Sequence, residues 1–158
     1  MIQRIQSIYL LAAALLFFFM LNNPLAEIVS TDRDMIAELN YLQVEAVTSP
    51  QDGEFESQSV WPLTALLISI MVLEIIAIFL YKRRTLQMRL CLFNIFLMFG
   101  LVAMIYYYAK YAPVGIERAD SVLLWPIVVP FISIVLTYLA LKAIQKDDAL
   151  VKSWERLR

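Results

Sequence analysis

The fold class is indicated most clearly by one apolar run, Val60-Trp-Pro-Leu-Thr-Ala-Leu-Leu-Ile-Ser-Ile-Met-Val-Leu-Glu-Ile-Ile-Ala-Ile-Phe-Leu-Tyr81, which is followed by Lys-Arg-Arg84. Crossing the hydrocarbon core of a bilayer takes about 20 mostly apolar residues, and this run is interrupted by one charge, Glu74. Trp61 and Tyr81 stand near its ends, where aromatic side chains favour the membrane–water interface, and basic residues follow at once. The stretch predicts a transmembrane helix over residues 60–81.

Three further apolar runs have the same character, at 5–22, 90–109 and 122–141. The composition agrees with them, since 61% of the 158 residues are apolar, 17% are charged, and the mean hydropathy is +0.71. A packed soluble core cannot absorb that much apolar surface. We therefore predict an all-α membrane protein, a single domain over residues 1–158 built as a bundle of four transmembrane helices.

The distribution of basic residues predicts the orientation. Cytoplasmic flanks retain lysine and arginine during insertion, and ten of the thirteen basic residues fall on one side of the membrane under the four-span interpretation. The N-terminus, the connection at 82–89 and the tail at 142–158 are therefore predicted to be cytoplasmic. The ten residues are Arg4, Lys82, Arg83, Arg84, Arg89, Lys142, Lys146, Lys152, Arg156 and Arg158.

The connections at 23–59 and 110–121 are then predicted to lie outside the cytoplasm. Residues 41–47 alternate in polarity as strands do, and 55–60 follow a turn-forming segment as a returning strand. Residues 35–39 are predicted to add a helical turn. We expect a small extracytoplasmic β-rich cap between the first two helices.

Glu74 is the only carboxylate within the predicted hydrocarbon region, eight residues and hence about 12 Å from Lys82. Asn94 on the third helix reaches a comparable depth. Such residues are costly in a membrane and need partners. The other polar candidates in the same half of the helices are Gln6, Tyr9, Ser133 and Tyr138.

Two interpretations of this polar group stay open. In the first, Glu74 binds a proton, a cation or a ligand headgroup in a small carrier or ion-coupled transporter. In the second, it is a hydrogen-bonded pin that joins helices, as interhelical polar contacts do in lipid. The structural interpretation is favoured, because ion transporters normally carry more charges or glycine-broken spans, and this chain has only three glycines.

The sequence contains no histidine, and Cys91 is its one cysteine. Intrachain disulfides are thereby excluded, and the commonest metal ligand and proton shuttle is absent. No nucleophile triad and no glycine-rich phosphate loop can be found, and the adjacent Asp147 and Asp148 indicate a solvated surface. We predict no catalytic residue, metal site or cofactor, and the net charge of −1 gives no case for a nucleic-acid partner.

The tail at 142–158 predicts a C-terminal amphipathic helix, because Leu150, Val151, Trp154 and Leu157 recur at helical spacing among basic residues. It either lies on the inner leaflet or docks a partner. The predicted partners are membrane lipids and either a membrane or cytoplasmic protein or a second copy of the chain. The residues predicted for this cytoplasmic contact are Arg4, Lys82, Arg83, Arg84, Arg89, Asp147, Asp148, Trp154, Arg156 and Arg158.

Three of these cytoplasmic segments carry a resemblance to a known family: Met1-Ile-Gln-Arg-Ile-Gln-Ser-Ile-Tyr-Leu10, Tyr81-Lys-Arg-Arg-Thr-Leu-Gln-Met-Arg-Leu90 with Asn94 after it, and Lys146-Asp-Asp-Ala-Leu-Val-Lys-Ser-Trp-Glu-Arg-Leu-Arg158. Over essentially its full length the chain resembles the domain-of-unknown-function 4293 family of Bacteroidota, which are small four-span inner-membrane proteins. The resemblance implies a bacterial cytoplasmic (inner) membrane and four spans, and it carries no established activity.

The function expected from these observations is that of a non-enzymatic accessory or scaffold subunit, a multi-pass protein with both termini in the cytoplasm. Its cytoplasmic face, built from residues 1–9, 81–94 and 142–158, is expected to contact a partner or lipid. The alternative is a small carrier or ion-coupled transporter that uses Glu74 and Asn94. An enzyme acting on lipids ranks third.

Overall fold

The computed structural model describes residues 3–30, 35–46, 58–111 and 119–156. These residues form four α-helices and a five-stranded sheet. Helix α1 is Gln3–Met20, α2 is Trp61–Phe79, α3 is Arg84–Tyr111 and α4 is Val128–Arg156. Three segments are long and apolar enough to cross a membrane, namely Trp61–Phe79, Arg84–Tyr111 and Trp125–Val151, and Ile5–Met20 is a shorter apolar helix.

The connection between α2 and α3 is shorter than the loop predicted at 82–89. Helix α2 ends at Phe79, a 3-10 turn covers Leu80–Lys82, and α3 already begins at Arg84. Most of the predicted loop is therefore the first part of α3. The residues there, Leu-Gln-Met-Arg-Leu, are all good helix formers, so nothing local delays the start of the helix.

Helix α4 runs without a break through the segment predicted as a separate amphipathic tail. A 3-10 turn at Trp125–Ile127 leads into Val128–Arg156. Pro130 falls in the first helical turn, where its missing N–H group would have no partner anyway. No glycine or proline follows before the end of the chain, so no residue type that commonly ends a helix intervenes.

The sheet confirms a small β-rich cap and corrects two parts of it. Its strands are β1 (Ala26–Ser30), β2 (Met35–Leu39), β3 (Gln43–Ala46), β4 (Gln58–Ser59) and β5 (Ala119–Leu123), in the antiparallel order β4-β3-β2-β1-β5. The helical turn predicted at 35–39 is wrong, because Ala37 and Leu39 alternate with outward residues and pair with β1. The predicted turn at 49–53 lies outside the described residues, and residues 119–123, placed at the end of a loop and the start of a helix, form β5.

Each helix packs against two others, α1 and α3 both lying between α2 and α4. Their interior contains two separate apolar clusters. The larger one joins the helices to the sheet and includes Phe17, Leu67 and Met98 together with Ile28 and Leu39 of the strands. The smaller one lies toward the α2–α3 turn and consists of Leu10, Ala77, Cys91, Ala140, Leu141 and Ile144.

The outer surface of the helices is also apolar. Phe79 is 73% exposed and Phe96 is 74% exposed, and Ile8 and Leu15 of α1 are more than half exposed. Large exposed apolar surfaces mark contact with lipid or with other proteins. The helices therefore present apolar side chains both inward and outward, as membrane-embedded helices do.

Candidate functional site

Four polar side chains lie in the helix interior between the two apolar clusters. They are Glu74 of α2, Asn94 of α3, and Ser133 and Thr137 of α4, and none is more than 2% exposed. We call them the polar layer. On α1, Ala13 and Ala14 occupy the same height, since Leu10 before them belongs to the smaller cluster and Phe17 after them to the larger.

The side chains of Glu74 and Asn94 converge. Asn94 Nδ2 donates a hydrogen bond to the Ile70 carbonyl at 3.4 Å, and Glu74 follows Ile70 by one turn, about 6 Å along α2. Helical side chains tilt toward the N-terminus of their own helix, and α2 and α3 are antiparallel. Glu74 therefore leans toward the level of Asn94, and Asn94 leans back toward Glu74.

Helix α4 completes the layer from the other side. Thr137 is the α4 side chain that lies close to the Glu74 carboxyl group. Ser133 lies one turn earlier on the same face of α4 and is equally buried. Both are short, so they leave the centre of the layer to the longer Glu74 and Asn94 side chains.

Two buried glutamines continue the polar interior toward the α2–α3 turn. Gln87 Nε2 donates to the Ala77 carbonyl at 2.9 Å, and Gln6 of α1 is 4% exposed. The sequence does not predict that Gln87 is buried, because residues 82–89 are expected to form a loop. Its signal was present in the sequence, since Gln87, Cys91, Asn94 and Met98 recur at the spacing of one helix face, and all four are buried.

Much of the hydrogen-bonding capacity of this interior is unused. Within the described part of the chain, seven buried side-chain atoms have no hydrogen-bond partner: Gln6 Nε2, Glu74 Oε1, Glu74 Oε2, Gln87 Oε1, Asn94 Oδ1, Ser133 Oγ and Thr137 Oγ1. Buried polar atoms normally have partners, because each one left alone costs roughly 1–3 kcal/mol. The arrangement therefore provides six buried oxygen atoms and one amide nitrogen that can still form polar contacts.

Two of the predicted intramembrane candidates lie elsewhere. Tyr9 is half-buried and packs against the smaller apolar cluster. Tyr138 is 46% exposed, and the Lys142 ammonium lies 5.0 Å from the centre of its ring. The placement of Tyr138 in the polar layer is therefore wrong, because its position next to Thr137 turns it about 100° around α4, away from the interior.

At the α2–α3 turn the surface forms a groove of about 690 Å³. It is lined by Tyr81, Arg83, Arg84, Thr85, Leu86, Asp148 and Val151. Arg84 is held in place by Asp147, with 3.3 Å between Nη2 and Oδ2, while Nη1 donates to the Asp147 carbonyl at 3.1 Å. Arg83 and Arg89 are exposed. The groove thus combines basic, hydroxyl, acidic and apolar side chains.

Several predicted cytoplasmic residues fall beyond this description. Arg158 lies outside the described residues, as do the side chains of Arg4, Lys82, Trp154 and Arg156. Across the ranges that the structure describes, no three His, Cys, Asp or Glu side chains come together as a metal site.

A family model described as a domain of unknown function (DUF4293) matches residues 2–157, nearly the whole chain. No curated protein matches the sequence.

Proposed function

The chain belongs to the DUF4293 family, and from that premise we propose that it is a four-span protein of a bacterial cytoplasmic membrane with both termini inside. We further propose that it acts as a non-enzymatic accessory or scaffold subunit. Its working surface in this proposal is the cytoplasmic face, where the groove beside Arg83 and Arg84 receives a protein partner or lipid.

The fourth span in this proposal is α1. It is shorter than the other three, but it packs against α2 and α4 along its length and turns Ile8, Leu11, Leu15 and Phe18 outward. Side chains of this kind facing away from the protein need an apolar environment. Their exposure supports a lipid-embedded α1 and hence a four-helix bundle.

The orientation is supported by the opposite characters of the two ends. The sheet, with Glu27, Glu38 and Glu45, lies at one end of the helices. The other end carries the Arg83-Arg84 pair at the α2–α3 turn, and basic residues mark the cytoplasmic side.

The observation that carries the scaffold proposal is the double contact between Arg84 and Asp147. It joins the start of α3 to α4, while Arg83 beside it stays exposed on the groove. A surface that is already ordered loses less entropy when a partner binds. This preordered surface supports a role for the groove in binding a partner.

The test is purification of the tagged protein in mild detergent, followed by mass spectrometry of what remains bound. Arg83→Glu should release a stoichiometric partner from the groove. Lys110→Glu makes the same charge change at the far end of α3 and should retain it, since Lys110 is also exposed. Equal retention of every bound protein by both variants would contradict the proposal.

A second candidate function, a small carrier or ion-coupled transporter using Glu74 and Asn94, is supported by the unpartnered atoms of the polar layer. Intramembrane ionisable residues commonly mark ion pathways. In liposomes, Glu74→Gln should abolish flux, while Glu45→Gln, at an exposed position on the sheet, should leave it intact. Unchanged flux in Glu74→Gln would remove this candidate.

A further inference from the structure

We infer that the polar layer is a binding site for one dehydrated monovalent cation of alkali-metal type, with Glu74 as its counter-charge. The inference goes beyond the cytoplasmic-face role. For the carrier candidate it names the class of ion, and in that respect alone it rests on the proposed function.

The unpartnered atoms of the polar layer are of the kind that binds cations. Five of the seven belong to the polar layer and all five are oxygens: both carboxylate oxygens of Glu74, Oδ1 of Asn94, and the hydroxyls of Ser133 and Thr137. They come from three helices that surround one level of the interior. Oxygen atoms of exactly these chemical types, carboxylate, amide carbonyl and hydroxyl, are the ligands of hard cations.

The charge of the polar layer favours a monovalent ion. The layer contains one carboxylate, so a monovalent ion leaves it neutral, whereas a divalent ion would leave a net positive charge in an apolar interior. Calcium sites usually take six to eight oxygens, several of them from carboxylates. Since the described residues hold no group of three acidic or other metal-binding side chains, the count of charges favours a monovalent ion.

A proton and a cation would satisfy the buried oxygens of the layer in different ways. A proton on Glu74 removes its charge but supplies one hydrogen-bond donor, which serves a single acceptor. The hydroxyls of Ser133 and Thr137 add one donor each, so a protonated layer needs every donor aligned on its own acceptor. A cation among them contacts several oxygens at once without that pairwise alignment, and the salt dependence of unfolding distinguishes it from a proton.

Small side chains on α1 leave room for an ion at the level of the polar layer. Ala13 and Ala14 face the interior at the height of the layer with the shortest side chains α1 has there. Toward the sheet, the larger apolar cluster closes the interior with Phe17, Leu67 and Met98. Toward the α2–α3 turn, the smaller apolar cluster follows the layer, and the buried Gln87 beside it keeps Oε1 unpartnered.

The experiment measures thermal unfolding of the full-length protein in mild detergent, with NaCl, KCl or choline chloride at equal ionic strength. A ligand that binds the folded state raises the melting temperature, by about 3 °C when present at roughly ten times its Kd. We expect such a rise in Na⁺ or K⁺ relative to choline, its loss in Glu74→Gln, and its retention in Glu45→Gln. Identical melting of the wild type in all three salts overturns the proposal, as does a full rise in Glu74→Gln.

If Glu74→Gln fails to fold, Thr137→Val tests the cation site instead. It keeps the shape of the side chain and removes one oxygen, so the salt concentration that gives half the rise should increase about tenfold, the usual scale for one lost charge-assisted contact. An unchanged salt dependence in Thr137→Val also overturns the site. A protein that shows the rise but gives no flux in liposomes keeps the site and loses the carrier function, and neither result depends on the groove.

Discussion

The Arg84 guanidinium contacts Asp147 twice. Its Nη2 lies 3.3 Å from the carboxylate oxygen Oδ2, and its Nη1 donates a hydrogen bond to the main-chain carbonyl at 3.1 Å. The two residues are 63 positions apart, and both side chains are mostly buried. One guanidinium thereby ties the first turn of α3 to the backbone of α4. The contact has a side-chain part and a backbone part that mutation can separate.

Arg84→Gln removes both parts and should lower the free energy of unfolding by about 1–2 kcal/mol, whereas Asp147→Asn keeps the backbone acceptor and should cost about half as much. Thermal or chemical unfolding in detergent measures both. The cost of Asp147→Asn should also shrink as salt is added, because the ion pair is partly screened. Equal losses in the two variants would show that the backbone bond adds nothing.

Asn94→Leu should be close to neutral for stability in a buffer without alkali cations. Asn94 makes one long hydrogen bond at 3.4 Å and leaves Oδ1 unpartnered, so an apolar side chain of similar size gives up little. Met98→Ala, one turn away on the same face and fully buried, should instead cost about 3 kcal/mol through the cavity it leaves. Unfolding of the two variants in choline chloride makes the comparison, and a large loss in Asn94→Leu would show that its hydrogen bond is structural.

The sheet gives a matched pair of adjacent positions. Ile28 is fully buried at the centre of β1, between Ala37 and Ser121, while Val29 beside it faces outward and is 36% exposed. Ile28→Ala should destabilise the protein by about 2–3 kcal/mol, and Val29→Ala by less than about 1 kcal/mol. Hydrogen exchange of the strand amides should rise in the first variant alone. Similar exchange in both would mean that the sheet is not packed on the helices as described.

Cysteine labelling tests the proposed orientation in intact cells. In a Cys91→Ala background, Lys110→Cys should react with a membrane-impermeant maleimide from outside, and Arg83→Cys should react only after the cells are opened. Both native side chains are exposed, so accessibility does not differ for local reasons. The reversed pattern would place the sheet in the cytoplasm.

The sequence predicts the long apolar helices well, because they follow from local composition. Counting residues from the basic turn predicts that Glu74 and Asn94 lie at a similar height in the helices. In the structure both are buried in the polar layer with Ser133. Depth alone does not tell which face of a helix a residue occupies, and for that reason Tyr138 was misplaced. Gln87 was missed because the turn before it takes fewer residues than predicted.

The strands were harder to predict for a physical reason. Met35–Leu39 reads Met-Ile-Ala-Glu-Leu, which consists mainly of good helix formers, and it becomes a strand only because β1 and β3 pair with it. Residues 119–123 pair with β1 across about 90 positions of sequence. No local pattern records such a distant partner.

The position of β5 also constrains how the protein is made. Strands β1 and β2 can pair as soon as the first connection has been synthesised, but one side of β1 is filled by residues 119–123, which the ribosome delivers only after the whole of α3. Until then β1 presents an open strand edge. The sheet is therefore completed only after α3 has been made, and a chain stalled before residue 119 would expose an edge ready to pair with a neighbouring chain.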